Sequence, residues 1–134
     1  MIYLDSSALF KLVWDEAETR HLHHWLDTRP DVPLISSELG KIELLRGCRR
    51  YDDTTLDDAH NTLEFINLVP IRSNIVEMAC EVGEPKLRSL DAIHLASGLT
   101  IHADISAYCA YEHRLQAAAT AAGLPVIAPG QSVE

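Results

Sequence analysis

Cysteine is scarce in this chain, and its pattern closes off two classes at once. Cys48, Cys80 and Cys109 are odd in number and contain no C-x-x-C pair, which excludes a disulfide framework and a thiolate zinc site. Each sits among apolar neighbours and reads as a buried free thiol. Long apolar runs are missing as well. No stretch approaches the roughly 18 to 20 residues that cross a bilayer, and the first residues lack the basic, apolar, small-residue order of a secretory signal. The expectation is a cytoplasmic protein without membrane contact. His21, His23 and His24 do not fall at the i, i+4 spacing that puts two ligands on one helix face, and there is no H-E-x-x-H. They read as surface histidines. No internal repeat, low-complexity segment or linker interrupts the chain, so one domain is expected over residues 1–134. Basic residues are few: 11 Lys plus Arg face 20 Asp plus Glu, a net charge of −9. Taken alone, that balance disfavours nucleic acid, because affinity for a phosphate backbone comes mainly from Lys and Arg displacing counterions.

What is present is an ordinary globular composition, 47% hydrophobic and 23% charged, on a chain long enough to bury a core. Short β-favouring runs alternate with helical patterns. Strands are expected at Ile2–Leu4, Val32–Ser36, Ile105–Ala110 and Pro125–Ala128. A further one at Leu68–Ile71 is assigned to an edge because Pro70 interrupts it. Helices are expected over Ala8–Trp14, with Ser6 or Ser7 as N-cap, and over Glu16–Thr28, Ser37–Arg50, Thr54–Ile66, Asn74–Val82, Ser89–Ala103 and Glu112–Ala122. Gly123 closes the last of these, and the tail from Pro129 is expected to fray. The small residues Ala92, Ala96, Ser97 and Gly98 suit a helix packed close to its neighbour. This alternation predicts an α/β domain with a mainly parallel sheet between helical layers.

Most carboxylates of such a domain are solvated, so the informative ones sit where charge is not expected. Asp5 ends the first strand, at the carboxyl edge where parallel sheets bind ligands; it reads equally as a turn or helix-terminal acid beside Ser6 and Ser7. Asp91 enters the apolar run Leu90–Ala96, as a dipole partner in a first helical turn or as a functional acid. Glu43 borders a greasy stripe between Ile42 and Leu44, and Glu38 on the same helix points elsewhere. Glu112 follows the Ile105–Ala110 strand at the start of the last helix, where a capping or dipole role is the plain alternative. If these acids converge, their charges raise one another's pKa unless a cation lies among them. An oxygen-only set suits Mg²⁺, which can polarise a phosphate and activate bound water.

Four motifs in order, M-I-Y-L-D-S-S-A-L from Met1, S-S-E-L-G-K-I-E-L-L-R from Ser36, R-S-L-D-A-I-H-L-A from Arg88, and Y-E-H-R-L-Q-A-A-A with G-L-P-V-I-A-P-G, resemble those of PIN-domain ribonucleases. More closely, they resemble VapC toxins of type II toxin–antitoxin systems, over essentially the whole chain. The resemblance implies a PIN-like α/β/α sandwich and a Mg²⁺-dependent endoribonuclease, with Mn²⁺ as a substitute, that leaves 5′-phosphate and 3′-hydroxyl ends. It implies catalytic acids at Asp5, Glu43, Asp91 and Glu112, with metal held chiefly by Asp5 and Asp91. Glu112 stands where the family usually has aspartate, and its longer side chain shifts that ligand or makes it water-mediated.

Ser6, Arg46, Arg88 and Arg114 are candidate substrate contacts; Ser6 is equally an N-cap, and each arginine equally a solvated or ion-paired residue. His94 reads as a packing residue, with a supporting role beside the acids as the alternative. By the same resemblance the partners are a VapB-type antitoxin, a transfer or ribosomal RNA, and a second copy of the chain or a hetero-oligomer with antitoxin. Two other classes fit the bare residues: a catalytically weakened domain that binds RNA or antitoxin, and a metal phosphohydrolase for small phosphate esters.

Overall fold

The computed structural model describes residues 1–132. Five parallel strands form one sheet: β1 (Ile2–Leu4), β2 (Leu34–Ser37), β3 (Ile66–Val69), β4 (Ala107–Cys109) and β5 (Val126–Ile127), in the order β3-β2-β1-β4-β5. The central strand β1 alternates its side chains across the sheet. Ile2 and Leu4 enter one apolar core with Ala107 and Cys109, while Tyr3 enters the other and stacks on Tyr108 at 4.8 Å. Each core is closed by its own helical layer. Helices α1 (Ser6–Val13), α2 (Thr19–Asp27), α3 (Glu38–Arg49) and α4 (Asp53–Leu63) cover the first with Leu9, Leu22, Leu44 and Ala59. Helices α5 (Ser73–Ala79), α6 (Ser89–Thr100) and α7 (His113–Ala121) cover the second with Ile75, Leu95, Leu115 and Ala119. The result is the expected α/β/α sandwich. The small residues of α6 act as anticipated: a Cβ on Gly98 would stand 2.6 Å from the Tyr108 ring.

Several local expectations are corrected. Asp5, not Ser6 or Ser7, caps α1, accepting from the Ala8 N–H. Ile66 begins β3 instead of ending α4, and Pro70 lies beyond the strand, so β3 is an edge strand without an interrupting proline. Helix α6 stops at Thr100 and a 3-10 turn follows at His102–Asp104. Cys80 is exposed; Cys48 and Cys109 are the buried thiols. From Pro129 to Gln131 the tail is tied down rather than frayed, and residues 133–134 lie outside the described residues. Tyr111 Oη donates to the Pro129 carbonyl at 2.8 Å, and Gln131 bonds both Gln116 and the Tyr111 carbonyl. Among the described residues, no helix is long and apolar enough to cross a membrane.

The strand order sets the place of chemistry. The chain steps outward from β1 through β2 to β3, then returns to the other side of β1 with β4. The connections leaving β1 and β4 therefore go to opposite faces, α1 to one and α7 to the other. This opens a crevice beyond the carboxyl ends of those two strands, the usual ligand position in an open parallel sheet.

Candidate active site

Asp5 stands at the carboxyl end of β1 and is only 3% exposed. Its backbone N–H donates to the Cys109 carbonyl, which joins it to β4. Its Oδ1 accepts from Ser7 Oγ at 2.6 Å and from the Ala8 N–H at 3.0 Å. Both bonds fall on Oδ1, so Oδ2 takes no part in the cap. Ser7 Oγ in turn accepts from the Tyr111 N–H at 3.0 Å, fastening the start of α1 to the segment that leads into α7. Ser7 is thus the hydroxyl engaged with Asp5, and Ser6 is the half-buried first residue of α1.

Three more acids arrive from three helices. Glu43 projects from the middle of α3, Asp91 from the first turn of α6, and Glu112 caps α7, its Oε2 accepting from the Leu115 N–H at 2.8 Å. Glu43, Asp91 and Glu112 line one open cleft of about 360 Å³ together with Arg88, Ser89, Leu90 and Arg114. Arg88 and Arg114, the candidate substrate contacts, thus line the same cleft as three of the acids. Arg46 is exposed on α3 and does not line this cleft. Glu38 is engaged elsewhere, accepting from the Ile71 N–H at 2.9 Å.

The electrostatics join Asp5 to this cleft. Burial pushes its carboxyl above the ordinary range; His94 and the two hydrogen bonds pull it down, and the Asp91 charge pushes it further up. Asp91 is raised first by burial and then by Glu112, with Glu43 adding and His94 and Arg88 opposing. Asp91 thus links the set, repelled by Glu112 and Glu43 in the cleft and in turn repelling Asp5. Among the described residues, no three His, Cys, Asp or Glu side chains group as a ready metal site. That donor set fits a hard, hydrated divalent cation, which binds through one or two carboxylates and keeps its water. It does not fit a fully ligated zinc centre. His94 has no free nitrogen to offer, since Nδ1 bonds Tyr3 Oη and Nε2 bonds Glu43 Oε1, each at 2.8 Å. The packing role expected of His94 is thereby incomplete, and its position three residues after Asp91 was the one signal of this.

A larger groove of about 610 Å³ runs past Leu12, Leu26, Pro33, Leu34, Phe65 and Ile66, near the starts of β2 and β3. Its lining contains none of the four acids.

Comparison with known proteins agrees with this geometry. The model of the PIN domain family matches residues 2–119. Ribonuclease VapC35 of Mycobacterium tuberculosis is 40% identical over 134 residues, spanning 98% of this chain and 99% of that protein. Ribonuclease VapC47 of the same species is 35% identical over 133 residues, spanning 97% and 98%. Among solved structures, M. tuberculosis VapC20, described as a sarcin-ricin loop cleaving toxin, shares the fold with a TM-score of 0.74 at 16% identity, covering 96% of this chain and all of that one. A chain of a toxin–antitoxin complex from Klebsiella pneumoniae does so with a TM-score of 0.72 at 20% identity, covering 98% of each. With an acidic crevice at the sheet's switch point and full-length relatives on both counts, this chain belongs to the PIN domain family, in its VapC ribonuclease branch.

Proposed function

We propose that residues 1–134 act as one PIN unit, a divalent-metal-dependent endoribonuclease that serves as the toxin of a type II toxin–antitoxin pair in the cytoplasm. The observation that carries this is the convergence of Glu43, Asp91 and Glu112 with two arginines in one cleft, coupled to buried Asp5. Asp5 and Asp91 are the proposed ligands of Mg²⁺, or Mn²⁺ in its place, and Glu43 and Glu112 complete the acidic pocket. When bound, the cation would supply charge neutralisation at the phosphate and an acidified water.

The protein's own groups do the remaining work. Arg88 and Arg114 hold the phosphate from the cleft wall, where charge-assisted bonds to its oxygens are strongest. Glu43 has Oε1 committed to His94, so Oε2 is the atom that takes the proton of the attacking water. Glu112 has Oε2 committed to its cap, which leaves Oε1 for the pocket. Hydroxide joins phosphorus, the bond to the 3′-oxygen breaks, that oxygen takes a proton from solvent while Glu43 returns its own to solvent, and the products are a 5′-phosphate and a 3′-hydroxyl. Ser6 and Arg46, outside the cleft lining, are proposed contacts to the flanking RNA backbone.

An acidic domain binds bulk RNA poorly, so the proposed target class is a structured transfer or ribosomal RNA loop read by shape. The same acid cluster suits a VapB-type antitoxin that inserts a basic side chain, in a complex built on a homodimer or a hetero-oligomer. The test is incubation of the purified protein with RNA. Cleavage should require Mg²⁺, stop with chelator and leave 5′-phosphate ends. Cyclic phosphate ends, metal-independent cutting or an active Asp5→Asn variant would overturn the proposal.

A further inference from the structure

We infer that His94 is a positioning residue, the middle of a buried relay in which Tyr3 sets the imidazole and the imidazole aims Glu43 into the cleft. This deepens the nuclease reading and rests on it. Tyr3 is fully buried on the central strand and His94 is 1% exposed on α6, yet both carry polar groups that must be satisfied. They satisfy each other: Tyr3 Oη lies 2.8 Å from His94 Nδ1, and His94 Nε2 lies 2.8 Å from Glu43 Oε1.

The direction of the bonds follows from the end group. An ionised carboxylate only accepts, so Nε2 carries the hydrogen. In the uncharged ring that the relay requires, Nδ1 presents a lone pair and the Tyr3 hydroxyl donates to it. The relay thus fixes one tautomer and one ring orientation, and with them one orientation of Glu43.

The surroundings are shaped for this ring. Gly40 lies one turn before Glu43 on α3, and a Cβ there would stand 3.4 Å from His94 Cε1 and 2.6 Å from Ser36 Oγ. The bare glycine is what lets α3 lie against Ser36 and Leu9, while its separation from the imidazole is ordinary contact. The Tyr3 ring meets the imidazole edge-on, with centroids 6.0 Å apart and planes at 79°. An apolar packing residue in the same space would leave both Tyr3 Oη and Glu43 Oε1 without this partner.

The experiment is a cycle on the full chain, reading kcat and KM on RNA and, separately, the nitrogen shifts of the His94 ring at neutral pH. Loss of such a supporting partner typically costs about 10- to 100-fold in activity. His94→Leu should lower kcat by that factor with little change in KM, and should cause no further loss in a Glu43→Gln background. His94→Gln keeps an N–H donor for Glu43 and should recover most of the activity, and Tyr3→Phe should fall between. If His94→Leu does not fold, the other two variants and the ring shifts decide. Losses that multiply in the double variant, or a ring proton on Nδ1, would overturn the relay. If the wild type cuts no RNA, the nuclease reading fails, while the ring shifts still decide the relay: a bare Nδ1 upholds its geometry and a protonated Nδ1 removes it.

Discussion

Asp5 and Asp52 do the same local job at opposite extremes of environment. Each is an N-cap in extended conformation, and each accepts from the N–H three residues on, Asp5 from Ala8 at 3.0 Å and Asp52 from Thr55 at 2.7 Å. Yet the Asp52 carboxyl is held below the ordinary range by the Thr55 backbone and side-chain bonds, while burial pushes that of Asp5 above it. Asp52 is an exposed residue at the head of α4, with Asp53, Asp57 and Asp58 exposed on the same helix, where water screens each charge. Asp5 ends a strand in the centre of the sheet, where it is buried and the charge of Asp91 acts on it. A capping acid becomes a candidate catalytic acid when the fold buries it beside another.

The largest test of this contrast is activity. Asp5→Asn should cut RNA cleavage by about a thousandfold, since a metal-ligating acid supports several kcal/mol of transition-state stabilisation. Asp52→Asn should leave the same assay unchanged.

Next comes the response to divalent cation. Saturating Mg²⁺, at about a hundred times its dissociation constant, should raise unfolding free energy by about 2.7 kcal/mol in the wild type. In Asp5→Asn that gain should shrink sharply in the same calorimetric scan.

Without cation, Asp5→Asn should melt higher than wild type at pH 7. Its Oδ1 keeps both hydrogen bonds and its buried charge is gone. The sign follows from linkage. The folded pKa of Asp5 is raised, so its contribution to stability is present below the unfolded value and lost as pH rises through the folded one. The two melting curves should converge in acid. Asp52 is the reverse case: its contribution is present above the unfolded value and lost as pH falls through the lowered folded one. Asp52→Asn should therefore melt slightly lower at neutral pH and match wild type in acid.

Packing beneath the site gives a further check. Gly40→Ala adds a Cβ 2.6 Å from Ser36 Oγ and 2.9 Å from Leu9 Cδ1. Ser36 is fixed by its bond to the Leu4 carbonyl at 2.6 Å and cannot swing aside. Overpacking of about 1–3 kcal/mol outweighs the roughly 1 kcal/mol gained in helix propensity, so the denaturant midpoint should fall.

Much of this was legible in the residues. The alternation of apolar runs predicts the parallel sandwich, and Asp5, Glu43, Asp91 and Glu112 stand out as acids in apolar settings. What local sequence does not carry is the partner chosen across the fold. Asp5 and Asp52 look alike in their own segments, and only the sheet separates them. The boundary at Ile66 was missed because Leu56, Ala59, Leu63 and Ile66 keep a helical period after the helix has ended. Cys80 was assigned to the interior from its apolar neighbours, but it follows the last turn of α5 on an exposed side. The role of His94 depends on Tyr3 and Glu43, 91 and 51 positions away, and no local pattern joins them.

The most direct test of the central claim, that buried Asp5 and the acids of the neighbouring cleft hydrolyse RNA, is sequencing of 5′-phosphate ends in cells expressing the wild type or Asp5→Asn. The account predicts a small set of new ends within structured RNA loops, present with the wild type and absent with the variant. The same ends in both, or no new ends in either, would contradict it.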